Sequence, residues 1–282
     1  MKKNILFFTS PSPPAPLPQA GEGSKINGLQ RCVHRLAHRG RETKIRCASF
    51  MLIVWLLLCG GATFAGAAEP PTRLQVGYDV LKGNIKAASI TETYTRTQDR
   101  YHIESVSKAV GLLAMLKPET IRITSQGALT TKGLRPLTFT NERKLDTERN
   151  TRADFDWASN RIILTDRAGK RTLPLSAGTQ DRLSAMYQFM FAPLQNAATL
   201  SFEMTNGSKV DNYNYLITPD QSVTVPLGTF KALYVTNTPK TGESQTEIWL
   251  AAEHANFPCK IVITDPDGDK LTQVLTQFNF EP

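Results

Sequence analysis

The stretch LQVGYDV at residues 74–80 alternates apolar and polar side chains, and this pattern decides the fold. A period of two places every second side chain on the same face of a β-strand, so that one face is buried and the other meets water. The same alternation recurs at residues 153–157, 200–204, 213–217 and 274–280. The sequence therefore predicts antiparallel strands with one buried face.

Turn signals separate these strands. Four dipeptides that favour tight turns lie between strand-like runs: Lys132-Gly133, Ala168-Gly169, Asn206-Gly207 and Asp267-Gly268. The spacing indicates about ten to thirteen strands between residues 73 and 281, and a sheet of that size curls or closes. We therefore expect an all-β protein with minor α content. Its architecture would be a single curved antiparallel sheet or open β-barrel with one or two short helices.

One segment follows a helical period instead. Its apolar side chains recur at i, i+3, i+4, i+7 and i+8, as Leu183, Met186, Tyr187, Met190 and Phe191. This spacing predicts a helix over residues 180–191 with Thr179 as its N-cap. We expect this helix to close one mouth or side of the curved sheet, with Asp181 and Arg182 near the rim. A second short helix or lid is expected at residues 110–116.

The charge of the chain is concentrated at its start. The formal net charge is +8, but residues 1–67 carry nine Lys and Arg against two Glu, whereas residues 68–282 carry 24 against 23 Asp and Glu. The body is therefore nearly neutral, which excludes a basic nucleic-acid-binding domain. It contains one cysteine, Cys259, and hence no intramolecular disulfide.

The first 67 residues read as a leader. An apolar run at residues 47–68 follows basic residues and contains the small-x-small site Ala65-Gly66-Ala67, the order found in a cleavable signal peptide. We expect residues 1–67 to be a disordered extension plus a Sec-type signal peptide, and residues 68–282 to be a single β-rich domain exported to the periplasm. The alternative is an anchor in the inner membrane formed by residues 47–67.

Three blocks of the body carry a family resemblance. They are QDRLSAMY at residues 180–187, VPLGTFKA at 225–232, and EIWLA at 247–251 followed by Phe257-Pro258. In this order and spacing they resemble the bacterial exported family known as domain of unknown function 3108. The resemblance covers nearly all of residues 73–281 and implies no activity. A looser, architectural similarity is to periplasmic lipoprotein carriers, whose half-open barrel is closed by helices.

The sequence contains no recognisable catalytic or metal motif. It lacks the G-x-S-x-G, H-E-x-x-H, P-loop and dinucleotide-binding patterns. An enzyme would need two or three of five scattered side chains to converge in one cleft: His102, Asp181, Arg182, Glu247 and His254. Nothing in their spacing predicts this. We therefore expect a non-catalytic protein with no cofactor and no metal.

Two functions remain open. The first is an exported binding or carrier module that holds an apolar ligand or lipid in its curved sheet. Its cavity would be lined by alternate inward residues, namely Tyr78, Phe155, Trp157, Met186, Met190 and Trp249. The second is a structural or protein-interaction module of the cell envelope, with a solid core and a partner-binding edge strand. The expected partners are an apolar small molecule or an envelope protein, with no nucleic acid, and with membrane contact only through an uncleaved leader.

Overall fold

The computed structural model describes residues 71–194 and 196–281. The predictions for the leader and its possible anchor lie outside the described residues. Within the described ranges, no helix combines the length and the apolar character needed to cross a membrane.

The described chain forms fifteen strands and two short helices. The strands are β1 Arg73–Lys82, β2 Ile85–Thr97, β3 Arg100–Ala109, β4 Thr120–Thr130, β5 Gly133–Arg143, β6 Thr151–Asp156, β7 Arg161–Asp166, β8 Gly169–Pro174, β9 Gln180–Asp181, β10 Thr199–Thr205, β11 Val210–Val225, β12 Gly228–Asn237, β13 Gln245–Ala251, β14 Phe257–Thr264 and β15 Lys270–Glu281. The helices are α1 Gly111–Leu116 and α2 Ser184–Gln188, and single 3₁₀ turns lie at Thr147–Arg149 and Ala252–His254.

All fifteen strands belong to one sheet. From one edge to the other, the strand order is β8 to β1 in descending number, followed by β15 to β9 in descending number. Neighbours are antiparallel except for the short parallel pair of β9 and β10. The sheet therefore has two edges, β8 and β9, that no backbone ladder joins. This confirms the predicted all-β, open architecture.

The number of strands is higher than predicted. Strand β9 has only two residues, and every side chain of β8 is exposed. Neither strand carries the alternation of buried and exposed positions by which the other strands are recognised. The four predicted turns are confirmed, because each separates two strands that pair with one another.

The core lies on the concave face of the sheet. In β1 the alternate residues Leu74, Val76, Tyr78 and Val80 are all buried, as the sequence predicts. Helix α2 packs onto this face and adds Leu183 and Tyr187 to the same core cluster. The apolar stripe of the predicted helix is thus packed against the inside of the sheet, as expected.

A β-bulge explains a break in the alternation of the last strand. Val274 and Leu275 are both buried although they are adjacent in the chain. The pairing of β1 with β15 shifts between Gly77, which faces Gln277, and Tyr78, which faces Leu275. One extra residue on β15 is thereby left without a partner on β1. Such a bulge turns the strand, so that consecutive side chains reach the core.

The predicted bounds of the central helix are wrong. Helix α2 has five residues rather than twelve, because Gln180 and Asp181 pair with β10 as strand β9. Thr179 is not its N-cap, since the Thr179 hydroxyl donates to the Ser176 carbonyl oxygen. Asp181 is fully buried instead of lying at the rim. The second helix is confirmed, as α1, at the predicted place.

The two halves of the sheet meet along a line that we call the seam. Here α2 and β9 face the turn between β4 and β5, and side chains replace the missing ladder. The Gln180 Nε2 donates to the Leu134 carbonyl oxygen at 2.9 Å. The Gln188 Oε1 accepts from the Leu134 amide at 2.7 Å, and its Nε2 donates to the Lys132 carbonyl oxygen at 2.8 Å. These bonds satisfy backbone groups that would otherwise be unpaired.

The seam continues where the turn between β10 and β11 reaches β6. The Thr151 hydroxyl donates to the Asn206 carbonyl oxygen at 2.8 Å. Gly207 follows in the same turn with a positive φ of 88°. A Cβ atom on this glycine would lie 2.5 Å from the Thr151 Oγ1 and 3.1 Å from the Arg152 amide nitrogen. The closure therefore depends on the absence of a side chain at residue 207.

We predict that Gly207→Ala destabilises the protein more than a glycine-to-alanine change elsewhere. Gly242→Ala is a matched control, because Gly242 also has a positive φ, of 83°, but nothing lies within 4 Å of its added Cβ. Both variants carry the conformational cost of a left-handed alanine. Gly207→Ala adds overpacking at the seam, so its free energy of unfolding in urea should fall by about 1–3 kcal/mol more. Equal losses in the two variants would contradict this account of the closure.

Candidate functional site

A cleft of about 500 Å³ opens at the seam. On one side of the cleft lie the β4–β5 turn and Trp157, which follows β6. On the other side lie α2 and β10. The apolar wall of the cleft includes the side chains of Leu134, Trp157, Ala185, Phe189, Ala192, Leu200 and Phe202. A volume of this size is within the range of small-molecule sites, which are mostly apolar with a few polar groups.

Trp157 forms a fixed platform in this cleft. Its indole Nε1 donates to the Pro136 carbonyl oxygen at 2.6 Å. Its ring stacks on Phe155, with 5.9 Å between ring centroids, and the Arg135 guanidinium lies 5.0 Å from the ring centroid. Because the hydrogen bond and both ring contacts hold the indole, a ligand would meet a preformed aromatic surface.

Gln180 supplies a polar group with unused bonding capacity. Its side chain lines the cleft and only 4% of the residue is exposed. Its Nε2 donates to the Leu134 carbonyl oxygen, which can only accept, so the orientation of the amide is fixed. Its Oε1 is buried and has no hydrogen-bond partner among the described residues. Leaving a buried acceptor unsatisfied costs about 1–3 kcal/mol.

The next residue, Asp181, begins a polar cluster inside the core. Its Oδ1 accepts from the backbone amides of Leu183 and Ser184, at 2.9 and 2.8 Å, and so caps the start of α2. Its Oδ2 accepts from the Ser125 hydroxyl of β4 at 2.5 Å. The Ser125 Oγ lies 3.1 Å from the Tyr101 hydroxyl of β3. One carboxylate thus joins the closing segment to the opposite half of the sheet.

A second buried carboxylate, Glu92, completes the cluster. Its two oxygens accept from the Ser105 hydroxyl at 2.9 Å and from the Tyr187 hydroxyl at 3.1 Å. The Tyr187 ring stacks on Tyr94 with 5.6 Å between centroids and meets Phe257 edge-on. The Tyr187 hydroxyl of α2 is therefore bound by Glu92 of β2, while the Tyr187 ring packs in the core.

Burial controls the protonation of both carboxylates. Loss of solvation raises the pKa of Asp181 to about 6 and also raises the pKa of Glu92, against the opposing effect of their hydrogen-bond donors. Burial lowers the pKa of the Arg182 guanidinium to about 10, so that this group stays charged at neutral pH. Its positive charge opposes the pKa rise of Glu92.

The six residues predicted to line a cavity all belong to one core cluster or pack against it, but they do not line the seam cleft together. Tyr78 and Phe155 are core residues, and the Tyr78 hydroxyl donates to the Pro258 carbonyl oxygen at 2.8 Å. Met186 and Met190 are partly buried and pack against the core. Of the six, only Trp157 lines the seam cleft.

Trp249 is partly buried and packs against the same core cluster as the other five residues. Its neighbours Ile248 and Leu250 are buried in a second apolar cluster, whereas Ala251 of the same strand is buried in the main cluster. The Trp249 ring also packs beside Tyr234, at 4.9 Å between centroids, and under the Lys260 ammonium at 4.8 Å. The period of two assigns Trp249 to the face of Glu247, opposite Ile248 and Leu250.

The five side chains considered for catalysis are dispersed. Asp181 and Arg182 lie in the core cluster, whereas Glu247 accepts from the Tyr234 hydroxyl on another part of the sheet. His102 is exposed on β3, and the His254 ring packs between Phe230 and Phe278. Among the described residues, no group of three His, Cys, Asp or Glu could hold a metal ion.

Sequence reasoning missed Gln180 and the partners of the two carboxylates. A signal was present for Glu92, Ser105 and Ser125, because each occupies an inward position of a strand in place of an apolar residue. A polar residue at such a position needs a hydrogen-bond partner. No comparable signal exists for Gln180, whose role depends on the folding of β9 against the turn before Leu134.

The family model described as "Protein of unknown function (DUF3108)" matches residues 75–276, most of the chain. The chain belongs to this family. Among curated proteins, none matches it. The DUF3108 chain is similar in structure to a beta-barrel-like protein of domain of unknown function DUF1849 from Brucella abortus. The identity is 10% and the TM-score 0.49, over 74% of this chain and 98% of the other.

We predict that Asp181 makes the protein more stable as the pH falls. Its pKa of about 6 in the folded state exceeds the ordinary value of 3.8, so its stabilising effect is complete below about pH 4 and is lost as the pH rises through 6. Asp181→Asn can keep the three hydrogen bonds, with the Asn amide donating to Ser125. The stability of the variant relative to the wild type should therefore rise by up to about 3 kcal/mol between pH 4 and pH 7, measured by urea unfolding.

Asp156→Asn is the control for this experiment. Asp156 is exposed, and its hydrogen bond from Ser159 lowers its pKa below 3.8, so its contribution to stability changes only below about pH 4. The difference in stability between Asp156→Asn and the wild type should therefore stay nearly constant between pH 4 and pH 7. Parallel stability curves for wild type and Asp181→Asn would contradict the assignment.

Proposed function

We propose that this DUF3108 protein is a non-catalytic binding protein that holds an apolar molecule in the seam cleft. The observation that carries the proposal is the conjunction of an aromatic platform, Trp157, with the buried and unpaired Oε1 of Gln180 in one cleft of about 500 Å³. The favoured ligand is an apolar chain or ring system that carries a hydrogen-bond donor. Following the predicted leader, we place this activity after export to the periplasm.

The proposed site differs from the one expected from sequence. The expected cavity was the interior of the curved sheet, whereas that interior contains Tyr78, Tyr94, Tyr187 and other buried side chains. The seam has no backbone ladder, so an opening at this line costs fewer hydrogen bonds than an opening elsewhere in the sheet. This supports entry from the side rather than through the mouth of the barrel.

The arrangement of the carboxylates supports binding without catalysis. Asp181 and Glu92 both accept hydrogen bonds from within the protein, and neither lines the cleft. A general acid or base must reach the proton that it transfers, directly or through one water. We propose a structural role for both: they hold β9 and α2 against β2, β3 and β4.

The alternative function is a cell-envelope interaction module, and one feature favours it. Strand β8 is an edge that pairs with β7 on one side only, and all of its side chains are exposed. Such an edge can accept a strand from a partner. This function would require a solid core and no saturable uptake of a small molecule.

Binding of N-phenylnaphthylamine tests the proposal. This probe is apolar, has one N–H donor and becomes fluorescent in apolar sites. We expect saturable fluorescence enhancement by the wild-type chain. Trp157→Ala should weaken binding by about tenfold, because an aromatic contact contributes about 1.5 kcal/mol. Trp249→Ala removes the same side chain from a surface outside the cleft and should leave the affinity unchanged.

A filling variant gives a second readout. Ala192 lines the cleft and is only partly buried, so Ala192→Trp should occupy the site without disturbing the core. We expect it to abolish probe binding while the urea midpoint stays near the wild-type value. Absence of saturable binding by the wild type, or equal weakening by the two tryptophan-to-alanine variants, would refute the seam site and favour the interaction module.

A further inference from the structure

An unusual set of apolar side chains is exposed at one end of the sheet. Nine large apolar residues of the described chain are exposed, and five of them lie on three loops at this end. We call these five the apolar tip: Ile85, Leu112, Met115, Leu116 and Leu145. Each is between 52% and 82% exposed. The concentration of such residues on adjacent loops is not the scattered pattern of an ordinary surface.

The three loops of the apolar tip are connected by hydrogen bonds. The Val110 amide, just before α1, donates to the Ala87 carbonyl oxygen of β2 at 3.0 Å. The Leu145 amide donates to the Glu119 Oε1 at 3.2 Å. The β1–β2 hairpin, α1 and the loop after β5 therefore form one surface, and their apolar side chains are held in place together.

Helix α1 exposes its apolar face instead of burying it. Leu112, Met115 and Leu116 follow i, i+3 and i+4 spacing and so lie on one face of the helix. In a globular protein such a face turns to the core. Here all three side chains are exposed, and the helix has no buried residue. The face is thus available to an apolar phase outside the protein.

Lysines surround the apolar tip. They precede or follow its members in the chain, as Lys82, Lys86, Lys108, Lys117 and Lys144. Three of them have acidic neighbours: Lys82 pairs with Asp269, Lys86 with Asp79, and Lys117 lies 3.9 Å from Glu119. In the described part of the chain, Lys108 and Lys144 form no ion pair, and both are exposed.

An acidic hairpin bounds this surface on one side. The turn between β14 and β15 contains Asp265, Asp267 and Asp269, next to β1 in the sheet. The loop after β5 also contains Asp146, which pairs with Arg149, and the exposed Glu148. The two of the five lysines without an ion pair among the described residues, Lys108 and Lys144, lie on the side of the surface away from the acidic hairpin. Apolar side chains flanked by free ammonium groups match the interface of a bilayer that contains anionic lipids.

We propose that the apolar tip docks the protein reversibly on an anionic lipid surface. The five side chains enter the headgroup region, and the lysines contact the lipid phosphates. We favour a lipid surface over a protein partner because the ammonium groups of Lys108 and Lys144 flank the exposed apolar side chains, as at the interface of an anionic bilayer. This contact adds a second mode of membrane binding to the one predicted from the sequence, which was through an uncleaved leader only.

The leader is not the favoured occupant of this surface. Strand β1 begins at Arg73 and reaches the tip only at Lys82. The chain therefore enters the domain at the far end of a strand of ten residues, about 30 Å away. A second copy of the chain and the leader itself remain as outcomes that the experiment distinguishes.

Tryptophan fluorescence with brominated lipids tests the proposal in the full chain. Met115→Trp places a reporter at the tip, and Phe280→Trp places one on β15 at the opposite end, where the exposed fraction is 54%. Both changes are made in a full chain with Trp55, Trp157 and Trp249 replaced by Phe, so that each variant contains a single tryptophan. The vesicles contain phosphatidylglycerol and lipids brominated high in the acyl chain. The tip reporter should shift to the blue and be quenched, and the β15 reporter should do neither. The comparison is independent of any binding by residues 1–67, because both variants carry them.

A pair of variants in the Met115→Trp background tests whether docking requires the lysines. One basic side chain near an anionic surface strengthens binding about fivefold. Lys108→Gln with Lys144→Gln should therefore raise the lipid concentration for half-maximal quenching by about 25-fold. Lys132→Gln with Lys231→Gln, at the opposite end, should leave it unchanged.

Five results would overturn the proposal. Equal quenching of the tip and β15 reporters, or no quenching of either, would exclude docking through the tip. Equal quenching of the tip reporter in purely zwitterionic vesicles would exclude an anionic surface. A blue shift without vesicles that grows with protein concentration would identify a second copy of the chain, and one that is independent of concentration would identify the leader.

Discussion

The closure of the sheet at the seam is the constraint on which the rest of the structure depends. Fifteen strands curl until β9 and α2 reach the turn between β4 and β5, yet no ladder joins the edges. The side-chain amides of Gln180 and Gln188 bond the backbone of that turn instead. These side chains bond backbone groups that a neighbouring strand would otherwise bond. They leave a space between the two sides of the seam. The cleft is a consequence of this mode of closure.

The buried polar cluster follows from the same constraint. A segment that is held by few backbone bonds needs other contacts to fix its position, and Asp181 and Tyr187 supply them across the core. The cluster is costly, since desolvation opposes the charged form of both carboxylates. It also has directional geometry, which apolar packing lacks. We infer that it fixes where β9 and α2 sit, and that Gln180 thereby lies beside the Trp157 platform.

Much of this fold follows from local patterns, and the site does not. The alternation in β1, the four turn dipeptides and the helical spacing after Leu183 are properties of neighbouring residues, and each is confirmed. The predicted start of α2 was wrong because Asp181 pairs with β10 and caps the helix from a strand position. Tertiary contacts decide this competition between strand and helix. The cleft depends on residues about 45 positions apart, such as Leu134 and Gln180.

Hydrogen exchange at the Leu134 amide tests the central claim most directly. This amide donates to the Gln188 side chain rather than to a neighbouring strand. If side chains close the barrel, the amides of Leu134, β9 and α2 should exchange through a common local opening, with a lower free energy than the amides of β2 and β3. Gln188→Leu should speed exchange at Leu134 and leave β2 and β3 unchanged. Equal protection of the seam and the central strands, in wild type and variant alike, would contradict the account.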